Sequence, residues 1–470
     1  MKTSNRGVGP KPLNLIVGTA LLAVAACGGG GAGKGGGTLT GSGLGGKAPP
    51  PPPNVTADPG DKAPKREVSN DERKDYAAAV ASFAASDKGG WNEGACKSSA
   101  DRFAQVVRTH PKMVEAQFMV GLSFHRCNLL GDAEKAYQAA VGIKNNHGQS
   151  LSNLGELYWR AGKQTEARNY WDSAIKANGK LIAARNNVAS MQLEQMRKLQ
   201  VGSAEWKKLE EDARFNLSNV LGVDSENVKA YTLYGLVYME GFQKNKNRLD
   251  LAKLLLDEAK KRNEKYAVLQ NAYGLYYMHR NALSEALVNF QQAVTLDPKF
   301  VEARMNVGLT TLGFRKYDTA KEQFTEVIKL SSGKNYDSLI GLGVALRGLK
   351  DFDGAEAKYN EATKLDGKRG EAYYNLAVLY KDFKATKQAP AESIATYNKA
   401  KDYFKSFVDK GGDADDVKEA KEQIVLIDKT VAQTVKFMNA LKNAPPPPPA
   451  TPPAAGGTPP AGTPAPPAKK

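Results

Sequence analysis

The stretch "NAYGLYYMHRNALSEALVNFQQAVTLDP", residues 271–298, decides the fold. Its small, aromatic and proline positions follow one another at offsets of 3, 9, 4, 3 and 5 residues; they are Gly274, Tyr277, Ala286, Phe290, Ala293 and Pro298. Related sets recur at a spacing of 34 residues, beginning at Gly121 and Gly155 and again at Gly274 and Gly308. Further copies begin at Gly343 and Ala377. A fixed period of this length indicates an array of one repeated unit.

Each recurring position in the unit has a physical reason. In a unit built of two helices, a glycine in the first helix would let the second helix cross closely, because a larger side chain would push the two backbones apart. The aromatic residue of the second helix is expected to fill the gap between neighbouring units. A proline such as Pro298 closes the second helix, since the residue before proline is driven out of the α region. Between Glu67 and Asn443 there are only three prolines, so this part of the chain can be nearly all helix.

The offsets resemble those of the tetratricopeptide repeat, a helix–turn–helix unit of 34 residues. The resemblance implies an all-α, right-handed superhelical solenoid over residues 67–443, with about nine units and a capping helix at 414–442. The fourth unit carries an insert near "MRKLQVGSAEWKK", the fifth has a longer turn at "GFQKNKNRLD", and the ninth is interrupted by "KATKQAPAES". One unit buries little apolar surface alone, so stacking creates the continuous core.

The N-terminal 26 residues have the pattern of a secretory signal. Three basic residues precede the apolar run 13–26, which is too short to span a bilayer. The run ends Val24-Ala25-Ala26-Cys27, which resembles a bacterial lipobox and implies that Cys27 is acylated and becomes the first mature residue. The alternative is an ordinary signal with an accidental cysteine.

Glycine- and proline-rich segments flank the predicted solenoid. Residues 27–66 read as a tether, with twelve glycines among the 19 residues 28–46 followed by a proline run. Residues 444–470 hold twelve of the 24 prolines and lack large apolar residues, which predicts a disordered tail. Residue 28 is glycine and not aspartate, which by resemblance to the enterobacterial lipoprotein sorting rule implies the outer membrane; we expect a lipid-anchored protein that faces the periplasm.

Catalytic and metal-binding patterns are missing from the sequence. The four histidines fall in different units without metal-ligand spacing, and there is no P-loop, nucleophile elbow or dinucleotide fingerprint. We therefore expect no enzyme activity and no cofactor. The net charge of +16 comes from lysines interleaved with acidic residues, so we attribute it to solubility and expect no nucleic-acid partner.

The resemblance implies that the first helix of each unit lines a partner-binding groove. In the N-terminal units the groove positions include Phe118, Leu122, His125, Glu156 and Trp159. In units five to eight they form an apolar strip rich in methionine, which adapts to varied partner shapes: Leu236, Met239, Leu275, Met278, Met305, Leu309, Leu312 and Val344. This strip is predicted to grip an amphipathic helix or extended peptide; the alternative is that neighbouring helices cover it.

Two cysteines remain, Cys96 in the second helix of unit one and Cys127 in the turn of unit two. In an oxidising compartment they either form a disulfide that braces the N-terminal end or stay buried as free thiols.

Two functional hypotheses follow. In the first, the protein is an envelope scaffold that binds other envelope proteins, similar to outer-membrane tetratricopeptide lipoproteins that help pili, secretion pores or gliding motors assemble, those of myxobacteria among them. In the second, it regulates or carries a peptidoglycan enzyme or a cell-wall glycan. The glycan would bind at the aromatic groups around Trp159 and Trp171.

Overall fold

The computed structural model describes residues 68–443, and every regular element in this range is helical. The predicted signal peptide, Cys27, the tether and the proline-rich tail lie outside the described residues. The helices are α1 (Asn70–Gly89), α2 (Glu93–Thr109), α3 (Val114–Arg126), α4 (Leu130–Ile143), α5 (Gly148–Arg160), α6 (Gln164–Ala177), α7 (Ile182–Met196), α8 (Ala204–Val223), α9 (Val228–Met239), α10 (Arg248–Arg262), α11 (Ala267–His279), α12 (Leu283–Leu296), α13 (Val301–Gly313), α14 (Tyr317–Leu330), α15 (Tyr336–Gly348), α16 (Phe352–Leu365), α17 (Glu371–Val378), α18 (Pro390–Lys410) and α19 (Ala414–Lys442). None of the helices within 68–443 is both long and apolar enough to cross a membrane.

The helices pack as consecutive pairs, α1 with α2 through α15 with α16, and each pair contacts the next. We call the first helix of a pair helix A and the second helix B. The described residues divide into two compact units; the first ends at Asn375 and holds these eight pairs, and the second begins at Leu376. The predicted all-α fold of helix–turn–helix units is confirmed.

The glycine of helix A lies against the aromatic ring of helix B in the same pair. A Cβ atom added to Gly274 would lie 2.3 Å from Phe290 Cε1, and one added to Gly155 would lie 2.5 Å from Trp171 Cδ1. The same contact, always 16 residues along the chain, occurs between Gly121 and Tyr137, Gly308 and Phe324, and Gly343 and Tyr359. The expected role of the aromatic residue is therefore corrected, because it fills the space within its own pair. Phe324 does both, since its ring also lies against Gly341 of the next helix A.

Helix A ends in the same way in most pairs, with one turn residue in the left-handed region. These residues are Asn128, Gly162, Asn281, Arg315 and Lys350, and their φ angles lie between 56° and 76°. The turn residue that follows returns its backbone N–H to a carbonyl in the last turn of helix A, as Lys163 does to Tyr158 and Asp351 to Leu346. This closure satisfies carbonyls that the helix leaves without partners.

The longer turns of the fourth and fifth pairs brace each other. Arg197 Nε donates to Glu240 Oε1 at 2.7 Å, and the Lys244 ammonium donates to the Val201 carbonyl. Arg248 donates to Glu210 at 2.7 Å across the same junction. Part of the predicted insert in unit four forms the start of α8, which has 20 residues.

The second unit contains the end of α17, the segment that interrupts the ninth pair, α18 and α19. The segment forms a π-helical turn, Leu379–Lys384, and a 3₁₀ turn, Ala385–Lys387. Helix α18 begins at Pro390 and packs on these two turns. Lys399 Nζ of α18 donates a hydrogen bond to the Tyr380 hydroxyl at 2.6 Å. Helix α19 packs on α18 through Ala420 and Ile427, as expected of a capping helix.

Candidate partner-binding surface

The A helices of the first unit touch one another in several places and so form a common face, the A-helix face. Helix α9 contacts both α7 and α11, and α13 contacts α15. Most of the predicted groove positions lie on this face, and the spacing between the A helices decides which of them a partner could reach.

The predicted apolar strip is not continuous at the surface. Five of its eight side chains are only 2–6% exposed: Leu236, Met239, Met305, Leu312 and Val344. Leu236 and Met239 share a core with Leu193, Met196 and Tyr276, because α9 is packed between α7 and α11. The alternative reading, that neighbouring helices cover the strip, therefore holds for these five positions. Leu275 and Leu309 are half-buried and Met278 is 39% exposed, so these three remain accessible.

Polar residues on the same face join neighbouring A helices. Asn306 Nδ2 of α13 donates to Asn271 Oδ1 of α11 at 2.8 Å, and both side chains are buried. Asn186 Nδ2 of α7 lies 3.3 Å from Oδ1 of Asn227, and Asn227 is the N-cap residue of α9. These contacts join neighbouring A helices, so we assign the amides a structural role, although the Asn186 Oδ1 atom is buried without a hydrogen-bond partner.

A more open section of the A-helix face lies on α3 and α5. Phe118, Leu122, His125, Glu156 and Trp159 are all half-buried there, as the predicted groove positions of units two and three. Among the predicted positions, this section combines accessibility with polar groups. It is the candidate site for a partner, and we call it the α3–α5 section.

The polar groups of the α3–α5 section form one network. Arg160 Nη2 donates to Glu156 Oε1 at 2.7 Å, which orients the carboxylate. His125 lies between that carboxylate, 3.9 Å from Nε2, and the Tyr137 hydroxyl, 3.3 Å from Nδ1. Asn153 Nδ2 also donates to the Tyr137 hydroxyl, at 2.9 Å. The side chains of His125 and Glu156 are only 11% and 13% exposed and Tyr137 is fully buried, whereas the Arg160 side chain is 31% exposed. A partner would therefore reach the network from its Arg160 side.

Burial sets the charge state of this network. It lowers the pKa of His125, an effect that Glu156 opposes and the nearby arginines reinforce, so the imidazole is neutral at pH 7. Burial also raises the pKa of the Tyr137 hydroxyl far above its ordinary value. A neutral imidazole and an arginine-held carboxylate offer hydrogen bonds suited to peptide groups, and the Trp159 and Phe118 rings offer apolar contact.

Of the two tryptophans that the glycan hypothesis uses, only Trp159 is accessible. Trp171 is 2% exposed, lies against Gly155, and donates from its ring N–H to the Ser152 carbonyl at 3.1 Å. Its indole face therefore cannot stack on a sugar. Trp159, 5.8 Å away between ring centroids, remains half-buried and accessible.

Cys96 and Cys127 are joined in a disulfide, with their Cα atoms 6.2 Å apart. The bond ties the start of α2 to the end of α3, and the Ser99 and Ser123 hydroxyls join the same two helices at 2.9 Å. It therefore holds the first helix pair onto the second, next to the α3–α5 section.

Sequence reasoning missed two features of the helix pairs. The left-handed turn residues have no common side chain that a motif could detect, and the Arg197–Glu240 pair joins residues 43 apart in different units.

Within residues 68–443 no three His, Cys, Asp or Glu side chains gather as metal ligands would.

Comparison with known protein families identifies the repeats. Tetratricopeptide-repeat models match residues 91–149, 148–182 and 308–369, so these segments carry tetratricopeptide repeats; none of these models describes an enzyme. An uncharacterised protein of Haemophilus influenzae is 25% identical over 133 residues, which is 28% of this chain and 73% of the relative.

Solved structures of several repeat proteins are also similar. PilF of Pseudomonas aeruginosa has 17% identity and a TM-score of 0.38, covering 51% of this chain and 99% of its own. PilW, described as a type IV pilus biogenesis factor, has 14% identity and a TM-score of 0.38, covering 50% and 97%. YrrB, described as having an unusual peptide-binding site, has 17% identity and a TM-score of 0.34, covering 44% and 97%. At these values the likeness does not identify a ligand for this chain.

Proposed function

We propose that this chain is a lipid-anchored scaffold of the bacterial outer membrane whose tetratricopeptide array binds envelope proteins in the periplasm. It would assemble or stabilise a multiprotein machine such as a gliding, pilus or secretion complex. Tetratricopeptide arrays generally bind peptides or partner proteins, and the signal-like run that ends at Cys27 supports the anchor.

The α3–α5 section is the observation that carries the proposal. In this section His125, Glu156 and Arg160 form a polar network, and the half-buried rings of Phe118 and Trp159 lie on the same two helices. An extended segment of a partner would exchange peptide hydrogen bonds with the network and place an apolar side chain on the rings.

Capture of proteins from detergent-solubilised envelopes tests the binding surface. Trp159→Ala removes the half-buried indole of the α3–α5 section. Leu275→Asp combined with Leu309→Asp places charges at two of the three accessible positions of the apolar strip. Val288→Asp is the matched control, because Val288 is 61% exposed on helix B α12. We expect one or more proteins to be captured by the wild type and the control and lost from the variants, with helix content unchanged. Recovery of muropeptide or polysaccharide in their place would support the glycan hypothesis, and a captured set that no variant alters would refute the proposed surface.

The anchor is tested separately. Mass spectrometry of the mature N-terminus should find an acylated Cys27, and metabolic labelling with a fatty-acid analogue should be lost in Cys27→Ala. The wild type should sediment with outer membranes and the variant should not. A mature chain that begins elsewhere, without lipid, would contradict the proposed location and leave the binding test unaffected.

A further inference from the structure

Helix α19 exposes a second apolar surface that the packing on α18 does not use. Ala420 and Ile427 are the buried residues of α19, and Lys401 Nζ of α18 donates to Asp428 Oδ1 at 2.7 Å along the same contact. Elsewhere on α19, Leu426 is 48% exposed, Phe437 is 54% exposed and Leu441 is 59% exposed. Val425 and Val435 of α19 are also exposed, at 53% and 40%, and single exposed apolar residues are ordinary, whereas a row of them on one side of a helix indicates a surface with a partner.

These three residues lie along one line of the helix. Leu426 and Phe437 are eleven residues apart, which is close to three full turns at 3.6 residues per turn, and Leu441 follows about one turn later. Thr430 and Gln433 lie between them on the same side. We call this line the α19 stripe.

The charges along α19 are strongly asymmetric. Residues 413–428 contain six acidic side chains and two lysines, a net charge of −4. Residues 429–443 contain three lysines and no acidic side chain, a net charge of +3. The boundary between the two halves falls next to Thr430, near the middle of the α19 stripe.

We propose that the α19 stripe packs antiparallel against the α19 stripe of a second copy of this chain, about a two-fold axis near Thr430. This arrangement lays the acidic half of each helix over the basic half of the other, and it brings Leu426 of one copy to Phe437 of the second. A two-fold interface uses the same patch on both subunits, so the patch must be complementary to itself. The α19 stripe meets this condition only when the two helices run in opposite directions, since a parallel pair would place like charges side by side.

Glu422 and Lys436 are the residues that test the direction. They are fourteen residues apart, close to four turns, so they lie on the same flank of the stripe on opposite sides of Thr430. In the antiparallel pair, Glu422 of one copy approaches Lys436 of the second, and this contact occurs twice. This dimer would form whatever the A-helix face binds.

Sedimentation analysis of the otherwise complete Cys27→Ala chain tests the proposal, because this variant avoids association through lipid. The wild-type sequence should show a concentration-dependent doubling of mass. Phe437→Asp should abolish the dimer, whereas Val425→Asp should keep it, since Val425 is equally exposed at 53% but lies about a third of a turn around the helix. Circular dichroism should show that both variants keep their helix content.

The charge variants distinguish the two directions. Glu422→Lys and Lys436→Glu should each weaken the homodimer at least tenfold at low salt, and an equal mixture of the two variants should form a heterodimer, because both of its contacts pair opposite charges. A monomeric wild type, a dimer that survives Phe437→Asp, or a mixture that stays monomeric would each overturn the proposal.

Discussion

Replacing Gly274 by alanine should destabilise the array, although alanine is the better helix former. The new Cβ atom would lie 2.3 Å from Cε1 and 2.4 Å from Cδ1 of Phe290. Non-bonded carbon atoms in good contact are about 3.5–4.0 Å apart, so α11 and α12 would have to separate by more than about 1 Å. Phe290 is fully buried, so its ring cannot rotate into an open space.

The expected size of the effect follows from two opposing contributions. Overpacking of a core costs about 1–3 kcal/mol, and this contact lies at the severe end of the range. Exchange of glycine for alanine inside a helix gains about 1 kcal/mol. The free energy of unfolding should therefore fall by up to about 2 kcal/mol.

Urea unfolding followed by far-UV circular dichroism measures this change. Gly142→Ala is the matched control, because Gly142 also lies in a helix, α4, but an added Cβ would have no atom within 4 Å. This control should gain up to about 1 kcal/mol, so the two substitutions should have opposite signs. In Gly274→Ala combined with Phe290→Leu, the smaller side chain should relieve part of the clash, and the double variant should be more stable than the sum of the single changes predicts. If Gly274→Ala were as stable as the wild type or more so, the contact with Phe290 would not set the helix spacing.

Three further predictions concern the turns, the disulfide and the buried histidine. Lys350 and Gly162 both have positive φ, where glycine is unstrained and lysine or alanine is strained. Lys350→Gly should therefore raise the melting temperature and Gly162→Ala should lower it, each with a change of about 1 kcal/mol or less in the free energy of unfolding. Shifts of the melting temperature in the same direction would contradict this. Replacing both Cys96 and Cys127 by serine should cost about 3–4 kcal/mol of unfolding free energy, from the closure entropy of a 31-residue loop, as measured under non-reducing conditions; a variant as stable as the wild type would show that the bond does not constrain the unfolded chain. The lowered pKa of His125 means that the unfolded chain binds its proton first as the pH falls, so stability should decrease on acidification below about pH 6.5, by at most about 1.4 kcal/mol per pH unit. His125→Asn should reduce this slope in melting curves, and an unchanged slope would refute the assignment.

The fold could be predicted because the residues that determine it repeat. Glycine and an aromatic residue 16 positions later, as in Gly155 and Trp171, mark the closest approach within a pair, and each additional copy strengthens the signal. The exposure of the groove could not be predicted in this way. The repeat register assigns Met305 and Leu275 to equivalent faces, but it contains no information about how near the adjacent A helices come, and only Leu275 remains accessible.

The position of Phe324 limits how this array can be recombined. Its ring lies against Gly308 in its own pair and against Gly341 in the following one, where an added Cβ would lie 2.5 Å from Phe324 Cζ. A module exchange that transplanted residues 301–335 alone would separate the ring from the second of these glycines. A chimera cut at that boundary would need to carry a glycine at position 341, so the exchangeable segment extends into the next helix.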